Sequence, residues 1–176
     1  MWRGRRLRFP PQAEIRPTPD RVRETLFNWL GPRVPGARCL DLFAGSGALG
    51  LEALSRGAAQ VTFVEKDAIA VRELRARLAE WRATGGQVEQ SDALRFLQDA
   101  ARAFDIVFLD PPFSSDLLAQ ASRLLEDRHW LSANALIYVE TDARAGLPPL
   151  PQDWTVTKAK QAGAVGYHLV TRGGSG

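Results

Sequence analysis

The stretch "ARCLDLFAGSGALGLEALSRGAAQVTFVEKD", residues 37–67, decides the fold. Cys39, Leu40, Leu42 and Phe43 form an apolar run that reads as a strand, and the glycines at 45 and 47 end it. "GALGLEALSRG" reads as a helix, and "QVTFVEKD" as a second, β-branched strand. Strand, glycine turn, helix and strand make a βαβ unit, which places two strands parallel in one sheet. The alternation continues downstream. "AIAVRELRARLAEWRATGG" (68–86) is predicted helical, with Val71, Leu74, Leu78 and Trp81 on one face, and "QVEQSD" (87–92) is a short strand. "ALRFLQDAARA" (93–103) reads as a helix, "FDIVFLD" (104–110) as a strand, "SDLLAQASRLLED" (115–127) as a helix and "ALIYVET" (135–141) as a strand. Upstream, "RPTPDRVRETLFNWLG" (16–31) predicts a helix with Thr18 as its cap, Pro19 at its first position, and Val22, Leu26 and Leu30 at four-residue spacing. After the helix-breaking "LPPLP" (147–151), "WTVTKAKQAGAVGYHLVTR" (154–172) reads as two strands around a glycine-containing turn. The expected fold is α/β: a Rossmann-like, doubly wound, seven-stranded and mostly parallel sheet that ends in an antiparallel hairpin.

The composition of the 176-residue chain, 45% apolar and 24% charged, fits one globular domain rather than a disordered chain. No apolar run approaches the roughly 20 residues that cross a bilayer. The start "MWRGRRLRFP" is too poor in apolar residues for a signal peptide, so a cytoplasmic, membrane-independent protein is expected. A single cysteine, Cys39, excludes an internal disulfide framework and a cysteine-based zinc cluster, and its apolar neighbours make it a core residue. His129 and His168 show no metal-ligand spacing, and no metal is expected. Charge is unevenly spread. Residues 1–38 carry nine arginines against three acids, whereas the remainder has 14 basic and 17 acidic residues. A basic N-terminal arm on a mildly acidic body points to a polyanionic partner.

"GSGALG" (45–50) spells G-x-G-x-x-G, a weak dinucleotide signal when taken alone. Asp41, just before the turn, would repel a pyrophosphate but welcome an amine or ammonium. The pattern Asp41-x-Phe43-Ala44-Gly45-Ser46-Gly47 is typical of S-adenosylmethionine sites, where such an acid serves the methionine amino end, directly or through water. Glu65 lies 18 residues after Gly47, near the roughly 20 expected for a carboxylate that takes ribose hydroxyls. Asp92, after the third strand, is placed either to accept from an adenine amino group or to cap the helix that follows. Acids at the carboxyl ends of successive strands line one crevice, where open α/β sheets bind ligands.

The fourth strand runs into Asp110-Pro111-Pro112-Phe113. An exocyclic amine on a purine is a poor nucleophile, because its lone pair is delocalised into the ring. A carboxylate oxygen (Asp110) and a main-chain carbonyl (Pro111), both accepting from the NH₂, draw it toward tetrahedral geometry and stabilise developing positive charge. The proline pair fixes the direction of that carbonyl by locking φ. Phe113 offers a ring face for an extruded base.

Together these stretches resemble the bacterial 16S ribosomal RNA guanine-N2 methyltransferases (the small-subunit methyltransferase D type). The likeness runs through "RPTPDRVRETLFNWL", "CLDLFAGSGALGLEALSRGA", "VEKD", "FDIVFLDPPF", "ALIYVE" and "GAVGYHLV". It implies a class I S-adenosylmethionine-dependent fold and methylation of one guanine of 16S rRNA within the assembled or partly assembled small subunit, with demethylated S-adenosylhomocysteine as the product. Asp110, Pro111, Pro112 and Phe113 would form the catalytic loop. Arg16, Thr18, Asp41, Phe43, Ala44, Gly45, Gly47, Glu65, Lys66, Asp92 and Ala93 would bind or border the cofactor. Arg3, Arg5, Arg6 and Arg8, with Trp2 and Phe9 nearby, would contact the RNA backbone. The expected organisation is a basic arm at 1–15, a methyltransferase domain at 16–172 and a flexible tail at 173–176, in a monomer. Family members usually begin with a further strand and a Gly-Gly turn before "WRGR", so the arm is expected to be a truncated hairpin. Three rivals remain on sequence grounds: a DNA adenine-N6 methyltransferase, a nicotinamide-dependent oxidoreductase and a non-catalytic RNA-binding module.

Overall fold

The computed structural model describes residues 20–112 and 115–173. The helix cap expected at Thr18 and Pro19, the basic arm, Arg16 and Phe113 lie outside those residues.

Strands β1 (Arg38–Asp41), β2 (Gln60–Glu65), β3 (Gly86–Gln90), β4 (Phe104–Leu109), β5 (Leu131–Asp142), β6 (Trp154–Ala162) and β7 (Val165–Arg172) form one sheet in the order β3-β2-β1-β4-β5-β7-β6. The first five pair in parallel; β7 runs antiparallel to both β5 and β6. The predicted seven-stranded sheet with its closing hairpin is therefore present. Helices α1 (Asp20–Leu30), α2 (Ala48–Ser55) and α3 (Ala68–Glu80) share a buried cluster with one face of the sheet. Helices α4 (Ala93–Phe96) and α5 (Ser115–Asp127) share a second cluster with the other face. Burial on both faces is why β1 and β4 read as continuous apolar runs rather than alternating ones.

Helix periodicity translates directly into burial. Val22, Leu26, Phe27 and Leu30 of α1 are buried, as are Val71, Leu74 and Leu78 of α3, while Trp81 is half-buried at the C-cap of α3. Trp29 stacks on Tyr167 of β7 at 5.5 Å between ring centroids, and Phe27 meets Phe108 of β4 at 5.9 Å. These contacts hold α1 across β4 and β7.

Two elements differ from their sequence reading in extent, α3 ending at Glu80 and β5 beginning at Leu131, and a third, α4, differs most. "ALRFLQDAARA" predicts a helix of three turns, but α4 is a single turn, Ala93–Phe96. The carbonyl groups that would carry the helix on are taken from outside. Trp130 Nε1 donates to the Leu97 carbonyl at 3.0 Å, and Arg128 donates to the carbonyls of Leu97 and Gln98 at 3.1 and 2.8 Å. Phe96 and Leu97 are buried beside Trp130. Tertiary hydrogen bonding and aromatic burial outweigh the propensity of "LQDAARA".

The last hairpin is fastened to α5 through Glu126. Arg172 donates a two-pronged pair of bonds to its carboxylate at 2.8 and 2.9 Å, and Trp154 Nε1 donates a third at 2.8 Å. Among the described residues no helix is long and apolar enough to cross a membrane.

Candidate active site

Because β1 and β4 are neighbours, the chain winds outward from them in both directions, and the carboxyl ends of such a pair are where open α/β sheets bind ligands. Four acids stand at the ends of four adjacent strands. In sheet order they are Asp92, two residues past β3; Glu65, closing β2; Asp41, closing β1; and Asp110, immediately past β4. Sequence spacing anticipates all four positions, and the strand order places them side by side.

The turn between β1 and α2 is held from both sides. Gly47, at φ +83°, is the N-cap of α2 and has no side chain to satisfy the first amide groups. Asp41 supplies that cap from the strand: its carboxylate accepts from the Gly50 N–H at 3.0 Å. Only 3% of Asp41 is exposed, and burial, opposed by the Gly50 bond and reinforced by the charge of Glu65, raises its pKa to about 7. Asp41 therefore sits beneath the turn, with its proton finely balanced at neutral pH. The absence of side chains also lets α2 lie close on β2 and the turn lie close on α3. A methyl group at Gly50 would fall 2.3 Å from Phe63 Cε1, and one at Gly47 would fall 2.6 Å from Leu74 Cδ1.

Glu65 grips the turn from the neighbouring strand. One carboxylate oxygen accepts from the Gly45 N–H at 2.8 Å and the other from the Asp67 N–H at 2.9 Å. The half-buried carboxylate thus fixes both the glycine turn and the start of α3, where Asp67 caps the helix by accepting from the Ala70 N–H. Lys66 is exposed beside it, Phe43 is half-buried, and Ala44 and Ala93 are buried. Asp92 takes the capping role that its sequence position also allowed, accepting from the Arg95 N–H at 3.2 Å.

Asp110 is half-buried, Pro111 is buried and Pro112 is exposed. Beneath them lies a polar pair that the sequence reading passed over. The buried Tyr138 hydroxyl donates to the carboxylate of buried Glu140 at 2.8 Å. Burial, the Glu140 charge and hydrogen bond, and then the charge of Asp110 hold the phenol well above its ordinary pKa, so it stays protonated as a donor. Tyr138 pairs with Phe108, and continuing that register past Leu109–Val139 sets Asp110 opposite Glu140 on the same face of the sheet. The signal was available: Glu140 is also an acid near the end of an apolar strand, "ALIYVE".

Among the described residues no group of His, Cys, Asp and Glu side chains is placed to hold a metal ion. The chemistry on offer is that of carboxylates, backbone amides at a helix start, and a rigid Asp-Pro-Pro turn.

Comparison with known proteins agrees with this geometry. Residues 1–171 match the family described as conserved hypothetical protein 95. The chain is 50% identical over 175 residues to ribosomal RNA small subunit methyltransferase D of Escherichia coli, covering 99% of this chain and 88% of that protein. It is 47% identical over 173 residues to the protein of the same name from Haemophilus influenzae, covering 96% and 89%. The solved structure of yhhF from Escherichia coli superimposes with a TM-score of 0.87 at 49% identity, covering 91% of this chain and 89% of that one. With its family model, its full-length relatives and its sheet order in agreement, the chain belongs to the ribosomal RNA small subunit methyltransferase D family.

Proposed function

We propose that this protein transfers a methyl group from S-adenosylmethionine to the exocyclic N2 of one guanine of 16S rRNA, within the small ribosomal subunit or its assembly intermediate, in the cytoplasm. The observation that carries this reading is the row of strand-end acids around a glycine turn, with Asp110-Pro111-Pro112 next in line. The names of the full-length relatives support methyl transfer to small-subunit RNA.

The residues present fit the cofactor. Glu65, already fixed by two backbone amides, retains carboxylate lone pairs for ribose hydroxyls. Asp41, held near its titration point at neutral pH, supplies a negative charge suited to an ammonium group when it ionises. Gly45 and Gly47 leave the backbone open to close approach, while Phe43, Ala44, Lys66, Asp92 and Ala93 border the same crevice. When bound, S-adenosylmethionine supplies an electrophilic methyl group. What the chain's own residues add is positioning. The Asp110 carboxylate accepts from the guanine NH₂, the Pro111 carbonyl accepts the second N–H, and the proline pair keeps both acceptors fixed in advance. Phe113, and the arm carrying Arg3, Arg5, Arg6 and Arg8, take the base face and the RNA backbone in this reading; they lie outside the described residues.

The test offers unmodified small subunits, stripped 16S rRNA and unmethylated DNA in parallel, with nucleosides read by mass spectrometry. N2-methylguanosine from the ribosomal samples is the expected product. N6-methyladenine from DNA, with no modified guanine, would overturn the reading.

A further inference from the structure

The hairpin of β6 and β7 has features the catalytic reading does not use. Strand β6 forms the edge of the sheet, and residues 155–161 are exposed on both faces. From Trp154 to the end of the chain there is no acidic residue, but Lys158, Lys160 and Arg172 are present. Arg172 is committed to Glu126. The chain has three lysines in all, and two of them are here. Between the basic first 38 residues and this hairpin, residues 39–153 hold 11 basic and 17 acidic side chains. The two positive ends of the chain thus bracket an acidic body.

The fold sets this hairpin beside α1. Lys158 pairs with Leu169 and Lys160 with Tyr167, so both lysines lie on the face of the sheet that α1 covers. Tyr167 is the residue on which Trp29 of α1 stacks, and α1 directly follows the arginine-rich arm in sequence. The lysines are also level with the catalytic loop. Glu140 pairs with Tyr167, which pairs with Lys160, and Asp110 stands opposite Glu140. Three strand spacings of about 4.8 Å put Lys160 about 14 Å from Asp110 across the sheet. A strand carrying a base in the Asp110 loop would bring phosphates a few nucleotides away over this edge.

Building on the RNA substrate proposed above, we infer that Lys158 and Lys160 form a second contact for the phosphate backbone of the substrate RNA, beside α1 on the exposed edge of β6. The opposing reading makes the lysines guards against edge-to-edge pairing with another sheet, a task that the irregular register between Val156 and Lys158 would share. Charge reversal separates the two, because glutamate guards an edge as well as lysine does but repels phosphate.

The experiment compares the full chain with the double variants Lys158→Glu/Lys160→Glu, Lys158→Gln/Lys160→Gln and Lys158→Arg/Lys160→Arg, using unmodified 16S rRNA and small subunits across a range of KCl concentrations. The glutamate pair should lower RNA affinity by on the order of tenfold or more. The glutamine pair should make the slope of log affinity against log salt shallower by about 0.7 per lost contact. The arginine pair should keep both. KM for RNA should rise, while kcat at saturating RNA, cofactor affinity and melting temperature hold, which also shows that the variants are folded. If wild type methylates rRNA but the glutamate pair matches its KM and salt slope, the lysines are edge guards and the inference fails alone. If wild type neither binds nor methylates rRNA, the function proposed above fails with it.

Discussion

Asp41→Asn gives the most direct check on how the glycine turn is built. Burial lifts the Asp41 carboxyl from 3.8 to about 7 in the folded protein. The sign follows from proton counting. Between these two values the folded protein keeps a proton that the unfolded chain has released, so stability falls as pH rises through that window. Below about pH 4 both states are protonated and no penalty exists; above pH 7 both are ionised and the penalty is complete. At about 1.4 kcal/mol per pH unit, the penalty approaches about 4 kcal/mol as a ceiling. Asparagine cannot ionise, yet it keeps an oxygen facing the Gly50 N–H. Its amide donors, placed where Asp41 is buried, impose a pH-independent cost of about 1–3 kcal/mol. Urea unfolding of wild type and variant at pH 4.5, 6, 7.5 and 9 measures the difference curve. It should move in favour of asparagine by a few kcal/mol between the first and last points. A difference that stays constant with pH would refute the buried, proton-balanced Asp41. The same balance predicts that an ammonium-bearing cofactor pulls the pKa down and expels a proton near pH 7. Calorimetry in two buffers of different ionisation enthalpy detects that release.

Gly50→Ala should destabilise the protein by about 1–3 kcal/mol in denaturant titrations, because the new methyl group falls within 2.9 Å of both Phe63 and Val61. Asp110→Ala should lower kcat on the order of 10²–10³-fold with cofactor affinity retained, by analogy with the loss of one preorganised oxyanion-hole donor, whereas Asp110→Asn, which keeps an oxygen, should lose less; single-turnover kinetics distinguish them. Glu126→Gln removes the carboxylate on which Arg172 and Trp154 converge, and should cost about 1.5–3 kcal/mol in thermal or urea unfolding. Arg172 holds the Glu126 carboxyl below its ordinary pKa, so the wild-type advantage over that variant should be full at neutral pH and shrink as pH falls through the carboxylate range.

The sequence determined the elements and the chemistry of the crevice. Strand and helix patterns are set by neighbours two to four residues away, so "CLDLF", "VTFVE" and "DIVFLD" declare themselves as strands and Val71, Leu74 and Leu78 as a buried stripe. The acids at strand ends are equally local, since Asp41, Glu65 and Asp110 each follow apolar residues and Asp92 stands between a short strand and the start of a helix. Tertiary structure decided what those side chains do. Asp41 caps a helix beginning in the next element, Glu65 clamps a turn 20 residues before it, and Asp92 serves α4. It also cut α4 to one turn, because Trp130 and Arg128, 30 to 33 residues away, claim the carbonyls of Leu97 and Gln98. The pairing of Glu140 with Tyr167, and the stacking of Tyr167 on Trp29, depend on which elements become neighbours. Order in the sheet is chosen by burial of two apolar faces over the whole chain. No window of local sequence contains that information, and the placing of Lys160 level with Asp110 follows only once the order is set.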